Sequence, residues 1–318
     1  MTNASAFHFE SLVWDWPIAI YLFLIGISAG LVTLSILLRR YHPEAGGADS
    51  TLLRTTLVVG PGAIILGLLI LIFHLTRPWT FWKLMFHYSF TSVMSMGVLL
   101  FQLYMVVLIL WLAIIFQKEV IALQQRWLPR LGLVQKVLAL LTPFNRGLET
   151  LMLVLAVLLG AYTGFLLSVL KSYPFLNNPI LPVLFLFSGI SSGAAVALIA
   201  MALRQRDNPH STEAHFIHRV ETPVVWLEIF LLAAFFVGLA LGDDGKMRAL
   251  SAALGGGFWT WWFWIGVAGL GLIVPMLLKP WANRGSTFHG VLAVCGASLT
   301  GVLLLRFFIL YAGQLTVA

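Results

Sequence analysis

The run His74-Leu75-Thr76-Arg77-Pro78-Trp79-Thr80-Phe81-Trp82 closes a long apolar stretch with an imidazole, a guanidinium and two indoles. An imidazole can take a proton and a guanidinium can orient an anion, so His74 and Arg77 read as a candidate site. Trp79 and Trp82 read equally as ring stacks over a ligand or as an interfacial aromatic belt. Other polar groups sit within or beside apolar runs: Asp15 between Trp14 and Trp16, then Glu149, Tyr162, Glu228 and Arg306. In hydrocarbon such groups either carry function or make interhelical bonds. Asp15 precedes Pro17 and also reads as a helix N-cap. Tyr162 also reads as a simple bond between helices. Glu228 and Glu149 read as structural carboxyls or as stations on a proton route.

The chemistry that is missing narrows the choice. The single cysteine, Cys295, forms no disulfide within the protein and is too few for an iron–sulfur cluster, which takes about four thiolates. No two of the eight histidines fall at one depth on facing apolar runs as a haem requires, and HExxH or repeated Glu-x-x-His patterns are absent. We therefore expect no metal site and no redox cofactor held by the protein itself.

Composition places these groups in a membrane. The 318 residues are 60% hydrophobic and 10% charged, with a mean hydropathy of +0.96. That is a polytopic, lipid-embedded protein, and its net charge of +7 marks loops rather than a nucleic-acid surface. Met1 to Trp16 lacks Lys and Arg, hence the basic start of a signal peptide, and the first apolar run is read as a retained helix.

A span takes roughly 20 apolar residues. Eight stretches qualify, near 17–38, 54–75, 91–116, 147–170, 180–203, 222–241, 258–279 and 288–312. Thirteen of the nineteen Lys and Arg lie in or beside the odd-numbered connections, Arg130 and Arg206 among them. By the positive-inside rule those connections face the cytoplasm, and both termini face the periplasm. Gly26-Ile27-Ser28-Ala29-Gly30 in span one matches Gly189-Ile190-Ser191-Ser192-Gly193 in span five. Thr163-Gly164 in span four likewise matches Thr300-Gly301 in span eight. The common four-span offset predicts an all-α membrane protein of two pseudo-repeated four-helix bundles, 1–170 and 171–318. Small residues at helix crossings give the same pattern without a repeat. In the repeat alignment His74 stands opposite Ala240 and Tyr162 opposite Leu299, so a shared scaffold does not need them. This locates the candidate site in the first unit.

Counting 1.5 Å per residue puts Asp15, His74, Arg77, Tyr162, Asp243, Asp244 and Arg306 on the outer side. An apolar slot with a few placed polar groups suits a small ligand. A quinol fits: a flat ring with a hydroxyl at each end, which gives up two electrons and two protons on oxidation. His74 and Asp15 would accept protons, Tyr162 would bond a quinone oxygen, and Arg77 and Trp79 would orient the site. A solute or ion transporter and a passive membrane anchor for a periplasmic redox complex are the alternatives.

Three runs, Trp14–Gly30 (WDWPIAIYLFLIGISAG), His74–Trp82 (HLTRPWTFW) and Gly160–Ser168 (GAYTGFLLS), occur in order at corresponding spans. Through them the full sequence resembles the NrfD/polysulfide-reductase membrane-subunit family. The resemblance implies an eight-helix inner-membrane subunit with no cofactor of its own. It would oxidise menaquinol near the periplasmic face and pass electrons to a periplasmic four-cluster iron–sulfur protein. A multihaem cytochrome c and nitrite reductase follow in the nitrite-reducing systems. Tyr162 matches the family's Tyr-Thr-Gly motif, which implies a quinone contact. His74, Arg77 and Pro78 match its His-x-x-Arg-Pro motif. Polysulfide-reductase relatives carry a His near the start of span one where this sequence has Asp15, so the proton acceptor differs there.

Overall fold

In hydrocarbon every backbone N–H and C=O must pair within its own segment, so long apolar runs fold as helices. A computed structural model of the protein describes residues 6–75, 77–127, 133–204, 211–285 and 288–315. Arg130 and Arg206, counted above among the loop cations, lie outside the described residues. The helices are α1 (Trp16–Tyr41), α2 (Thr51–His74), α3 (Phe81–Phe86), α4 (Val93–Ile115), α5 (Gln117–Trp127), α6 (Leu133–Leu141) and α7 (Asn145–Ser168). There follow α8 (Leu181–Arg204), α9 (Thr212–Ala240), α10 (Asp244–Leu254), α11 (Phe258–Trp261), a π-helical run (Trp262–Ile273), α12 (Val274–Gly285) and α13 (Phe288–Gln314).

Among the described residues, eight helical stretches are long and apolar enough to cross a membrane. They are α1, α2, α4, the run Gln135–Ser168 that contains α7, α8, α9, the run Phe258–Lys279, and α13. Seven agree with the expected spans to within a few residues at the membrane-crossing part; α9 begins ten residues earlier than the hydropathy suggests. Arg219, Glu221 and Pro223 give its first turns the look of a loop. The helix forms there because the Ser211 hydroxyl caps it, accepting from the Ala214 N–H, and because Glu213 docks against a neighbour. The Glu213 carboxylate accepts backbone N–H bonds from Thr51 at 3.1 Å and Leu52 at 3.3 Å. It thereby satisfies donors that the α2 N-terminus leaves open, where the helix dipole also favours an anion.

Successive spans alternate in direction. Residues 6–15, 75, 77–92, 169–180 and 241–257 lie at one end of the bundle, the amino-terminal face. The opposite end carries Arg39, Arg40, Arg54, Lys118, Arg126, Lys136 and Arg146 and is called the basic face. There Arg39 ties α1 to α7, its Nε donating to Glu149 Oε1 at 2.7 Å and its Nη1 to the Gly46 carbonyl at 2.7 Å.

The centre of the bundle is the crossing of α1 and α8. The two glycine motifs noted above pack directly on each other. A Cβ on Gly30 would overlap the Gly189 carbonyl, and one on Gly193 would lie 2.6 Å from the Gly30 carbonyl carbon. Only glycine permits this approach, which is how membrane helices gain close packing without a hydrophobic driving force. Around it α1 packs on α2 and α7, and α4 on α7; α8 packs on α9 and α13, and the π-helical run on α13.

Candidate functional site

At the amino-terminal face, Tyr21 of α1 fixes the register of the first four spans. Its ring lies 3.5 Å from the Cβ position of Gly67 on α2 and 5.9 Å, centroid to centroid, from Phe101 on α4. Phe101 meets Tyr162 of α7 edge-on at 6.1 Å. The three rings form an apolar layer about two turns in from the amino-terminal-face ends of α1, α4 and α7. Tyr162 reaches α4 through a notch left by Gly97: a Cβ there would overlap its hydroxyl. That hydroxyl donates to the Val93 carbonyl at 3.3 Å, longer than a good O–H···O bond of about 2.5–3.0 Å. The phenol is therefore weakly engaged and free to take a better partner.

Asp15 and His74 rise to the same height above this layer. Asp15 lies six residues before Tyr21, about 9 Å, and His74 seven residues after Gly67, about 10 Å. Asp15 occupies the N-cap position of α1, yet its carboxylate makes no capping bond. The N-cap position expected as the alternative is thus occupied by Asp15, whose carbonyl accepts from Ile18 N at 3.1 Å, but without a side-chain capping bond, and the residue is half-buried. What holds it is Gln314, at the end of α13. The Gln314 Oε1 accepts from Val13 N at 2.8 Å and Trp14 N at 2.9 Å, and its Nε2 donates to Trp14 O at 2.9 Å. Ser11 and Tyr173 extend the clamp, the Ser11 hydroxyl donating to Gln314 O and the Tyr173 hydroxyl to Ser11 O.

His74, Arg77 and Trp79 are placed differently from an enclosed wall. His74 ends α2 and is exposed, Arg77 caps the short turn Pro78–Thr80, and Trp79 is 88% exposed. Among the described residues neither His74 nor Arg77 makes a side-chain hydrogen bond. The stretch forms an open ledge beside the mouth of the layer, with Lys83 above the Trp82 ring at 5.8 Å. Asp243 and Asp244 sit apart from it, at the exposed start of α10.

The remaining charged residues of the interior separate into three places. Glu149 belongs to the Arg39 pair at the basic face. Glu228 of α9 is 4% exposed and lines a cavity of about 380 Å³ between α9, the π-helical run with α12, and α13. Arg306 of α13 is fully buried near the α1–α8 crossing, and not on the outer surface. Its Nη2 donates to Ser188 Oγ at 2.6 Å and to the Phe185 carbonyl at 3.1 Å, with the guanidinium 3.7 Å above the Phe185 ring.

Sequence reasoning found Asp15, Tyr162 and Glu228 as polar interruptions of apolar runs. It missed the Gln314 clamp, the Gly97 notch and the pairing of Glu221 with Lys279 at 2.7 Å. A glutamine at a helix end and a glycine in a span carry no signal by themselves.

The family described as "Polysulphide reductase, NrfD" matches residues 4–318. Protein NrfD of Escherichia coli K12 is 86% identical over 318 residues, covering all of both proteins. A Protein NrfD homolog of Haemophilus influenzae is 48% identical over 314 residues, 98% of each protein. A polysulfide reductase subunit of Wolinella succinogenes is 38% identical over 308 residues, 96% of each protein.

Proposed function

Because the protein belongs to the polysulphide reductase NrfD family, we propose that it is the membrane subunit of a respiratory oxidoreductase, oxidising menaquinol near the periplasmic face. The observation that carries this reading is the amino-terminal end of the first four spans. There Asp15, whose carboxylate makes no capping bond, an exposed His74 and a weakly engaged Tyr162 hydroxyl lie at the same end of the bundle as the Tyr21–Phe101–Tyr162 aromatic layer. The basic residues of the opposite end support an orientation with both termini in the periplasm of the inner membrane. The equivalent helix pairings in 1–170 and 171–318 support two related four-helix units, the first holding the quinol.

The chemistry follows from the substrate. Menaquinol releases two protons and two electrons to become menaquinone. Asp15 and His74 take the protons and return them to water at the exposed face. The Tyr162 hydroxyl donates to one quinone oxygen, with Arg77 and Trp79 supplied from the exposed ledge. The electrons leave one at a time to the nearest cluster of a periplasmic four-cluster iron–sulfur protein docked over the ledge. From there a multihaem cytochrome c and nitrite reductase receive them. A neighbouring gene for a protein with four Cys-rich cluster motifs is the genomic companion this reading expects.

The test is the menaquinol-dependent rate of His74→Ala and Tyr162→Phe in the assembled complex. Both slow electron transfer while the subunit still inserts and binds its partner. Unchanged rates in both variants refute the site.

A further inference from the structure

The connection between α4 and α7 lies at the basic face, at the end of the bundle opposite the aromatic layer, and its height is fixed by the chain. α4 has 23 residues and α7 has 24. At 1.5 Å per residue each is about 35 Å long, and a hydrocarbon core is about 30 Å thick. Each helix therefore crosses the membrane by itself, which leaves α5, α6 and the turn Thr142–Phe144 at the level of the lipid headgroups. We infer that this α5–α6 connection is an interfacial anchor that binds anionic phospholipid, its apolar line among the acyl chains and its cations on the lipid phosphates. The inference does not depend on the quinol reading.

Three observations carry it. The first is the apolar line. Val137 and Leu140 share one face of α6, three residues apart, and are 40% and 68% exposed. Leu138, on a neighbouring line, is buried and ties the helix to the bundle. Leu123 of α5, which packs on α6, and Phe144 of the turn add further exposed apolar surface. The second is charge. Lys118 and Arg126 of α5, Lys136 of α6 and Arg146 of α7 are exposed, against one exposed acid, Glu119. Lys136 lies four residues before Leu140, so a cation edges the apolar line, as in a helix lying in the plane of a membrane surface.

The third is the lack of a protein counter-ion. At the same face Arg39 pairs with Glu149 and Arg54 with Asp49. Among the described residues Lys118, Arg126, Lys136, Arg146 and Arg40 of α1 enter no ion pair. Arg40 is held beside the anchor: its Nη2 donates to Thr150 Oγ1 at 2.7 Å, and that hydroxyl donates to the Arg146 carbonyl at 2.9 Å. Two arginines are thereby brought to the first turns of α7, where the nearby carboxylate, Glu149, is buried and taken by Arg39. Guanidiniums in such a place suit phosphate oxygens. A soluble acidic partner would neutralise the cations and leave the apolar line uncovered at headgroup depth; a phospholipid meets both.

The experiment uses the full-length subunit with Leu140→Cys and Cys295→Ala, labelled with a bimane and reconstituted in vesicles. The probes are phosphatidylglycerol and phosphatidylcholine with brominated acyl chains, each mixed at the same fraction into plain phosphatidylcholine, and iodide present on both sides of the bilayer. Brominated phosphatidylglycerol quenches the label more than brominated phosphatidylcholine does, on a scale of up to about fivefold for each cation engaged. Lys118→Gln with Arg126→Gln and Lys136→Gln removes the excess, and Lys118→Arg with Lys136→Arg keeps it. Salt makes the same test without changing the anchor, because screening shrinks the excess as ionic strength rises. Equal quenching by the two lipids overturns the inference, as does an excess that survives high salt. A label reached by iodide and by neither lipid also overturns it and marks the surface as one for a soluble partner.

Discussion

Gly97→Ala tests the quinol site through a residue that touches no substrate. The added methyl overlaps the Tyr162 hydroxyl and its ring carbon Cζ, so Tyr162 must leave the notch. Little is lost within the protein, because its bond to Val93 is 3.3 Å long. Overpacking of this kind destabilises by about 1–3 kcal/mol, which a bundle of eight spans tolerates. The larger effect is on the reaction: a displaced phenol no longer meets the quinone oxygen, and a neutral hydrogen bond is worth about 0.5–1.5 kcal/mol. At about 1.36 kcal/mol per factor of ten, the rate falls by up to about tenfold. Tyr162→Phe removes the same bond and falls by the same amount. The assay is menaquinol-driven reduction of the partner's clusters, followed by stopped flow at matched subunit levels. Since both changes remove one bond, the double variant is no slower than either single variant. Losses that multiply in the double variant, or a full rate in Gly97→Ala, refute the placement of the quinone oxygen at Tyr162.

Other perturbations probe the scaffold. Gly30→Ala meets the Gly189 carbonyl and lowers the unfolding temperature of the purified subunit, whereas Gly62→Ala and Gly296→Ala, which meet open space, leave it unchanged. Glu213→Ala removes the anion from the start of α2 and costs about 1–2 kcal/mol in the same measurement, and Glu213→Gln, which keeps an acceptor, costs less. Gln314→Ala releases Val13 and Trp14, so the menaquinol-dependent rate falls toward that of Asp15→Asn while the subunit still accumulates. A cysteine in place of exposed Lys171 reacts with an impermeant maleimide added from the periplasm; reaction only from the cytoplasm reverses the orientation.

The spans were legible because apolar length decides them, and the structure moves one boundary substantially. The start of α9 was hidden because Arg219, Glu221 and Pro223 are polar or helix-breaking in isolation. Their partners, Lys279 and the packed bundle, lie far away in sequence. The glycine motifs were legible as a recurring pattern, but their mutual contact depends on how α1 and α8 cross. Asp15 and Tyr162 stood out as polar groups in apolar surroundings. The groups that position them did not: Gln314 acts from 300 residues away, and the Gly97 notch matters only once α4 meets α7. Glu228 was visible as a buried carboxylate, whereas its cavity arises from the spacing of α9 against the π-helical run. Glu149, grouped with it on sequence, pairs with Arg39, a partner that its own stretch of sequence does not reveal.

The most direct measurement is a density map of the complex with a menaquinol analogue bound. The account predicts the ring at the amino-terminal end of α1, α2, α4 and α7, with one oxygen in hydrogen-bonding distance of the Tyr162 hydroxyl and Asp15 or His74 facing the other. A ring seated in the cavity beside Glu228, with the aromatic layer of Tyr21, Phe101 and Tyr162 unoccupied, contradicts it.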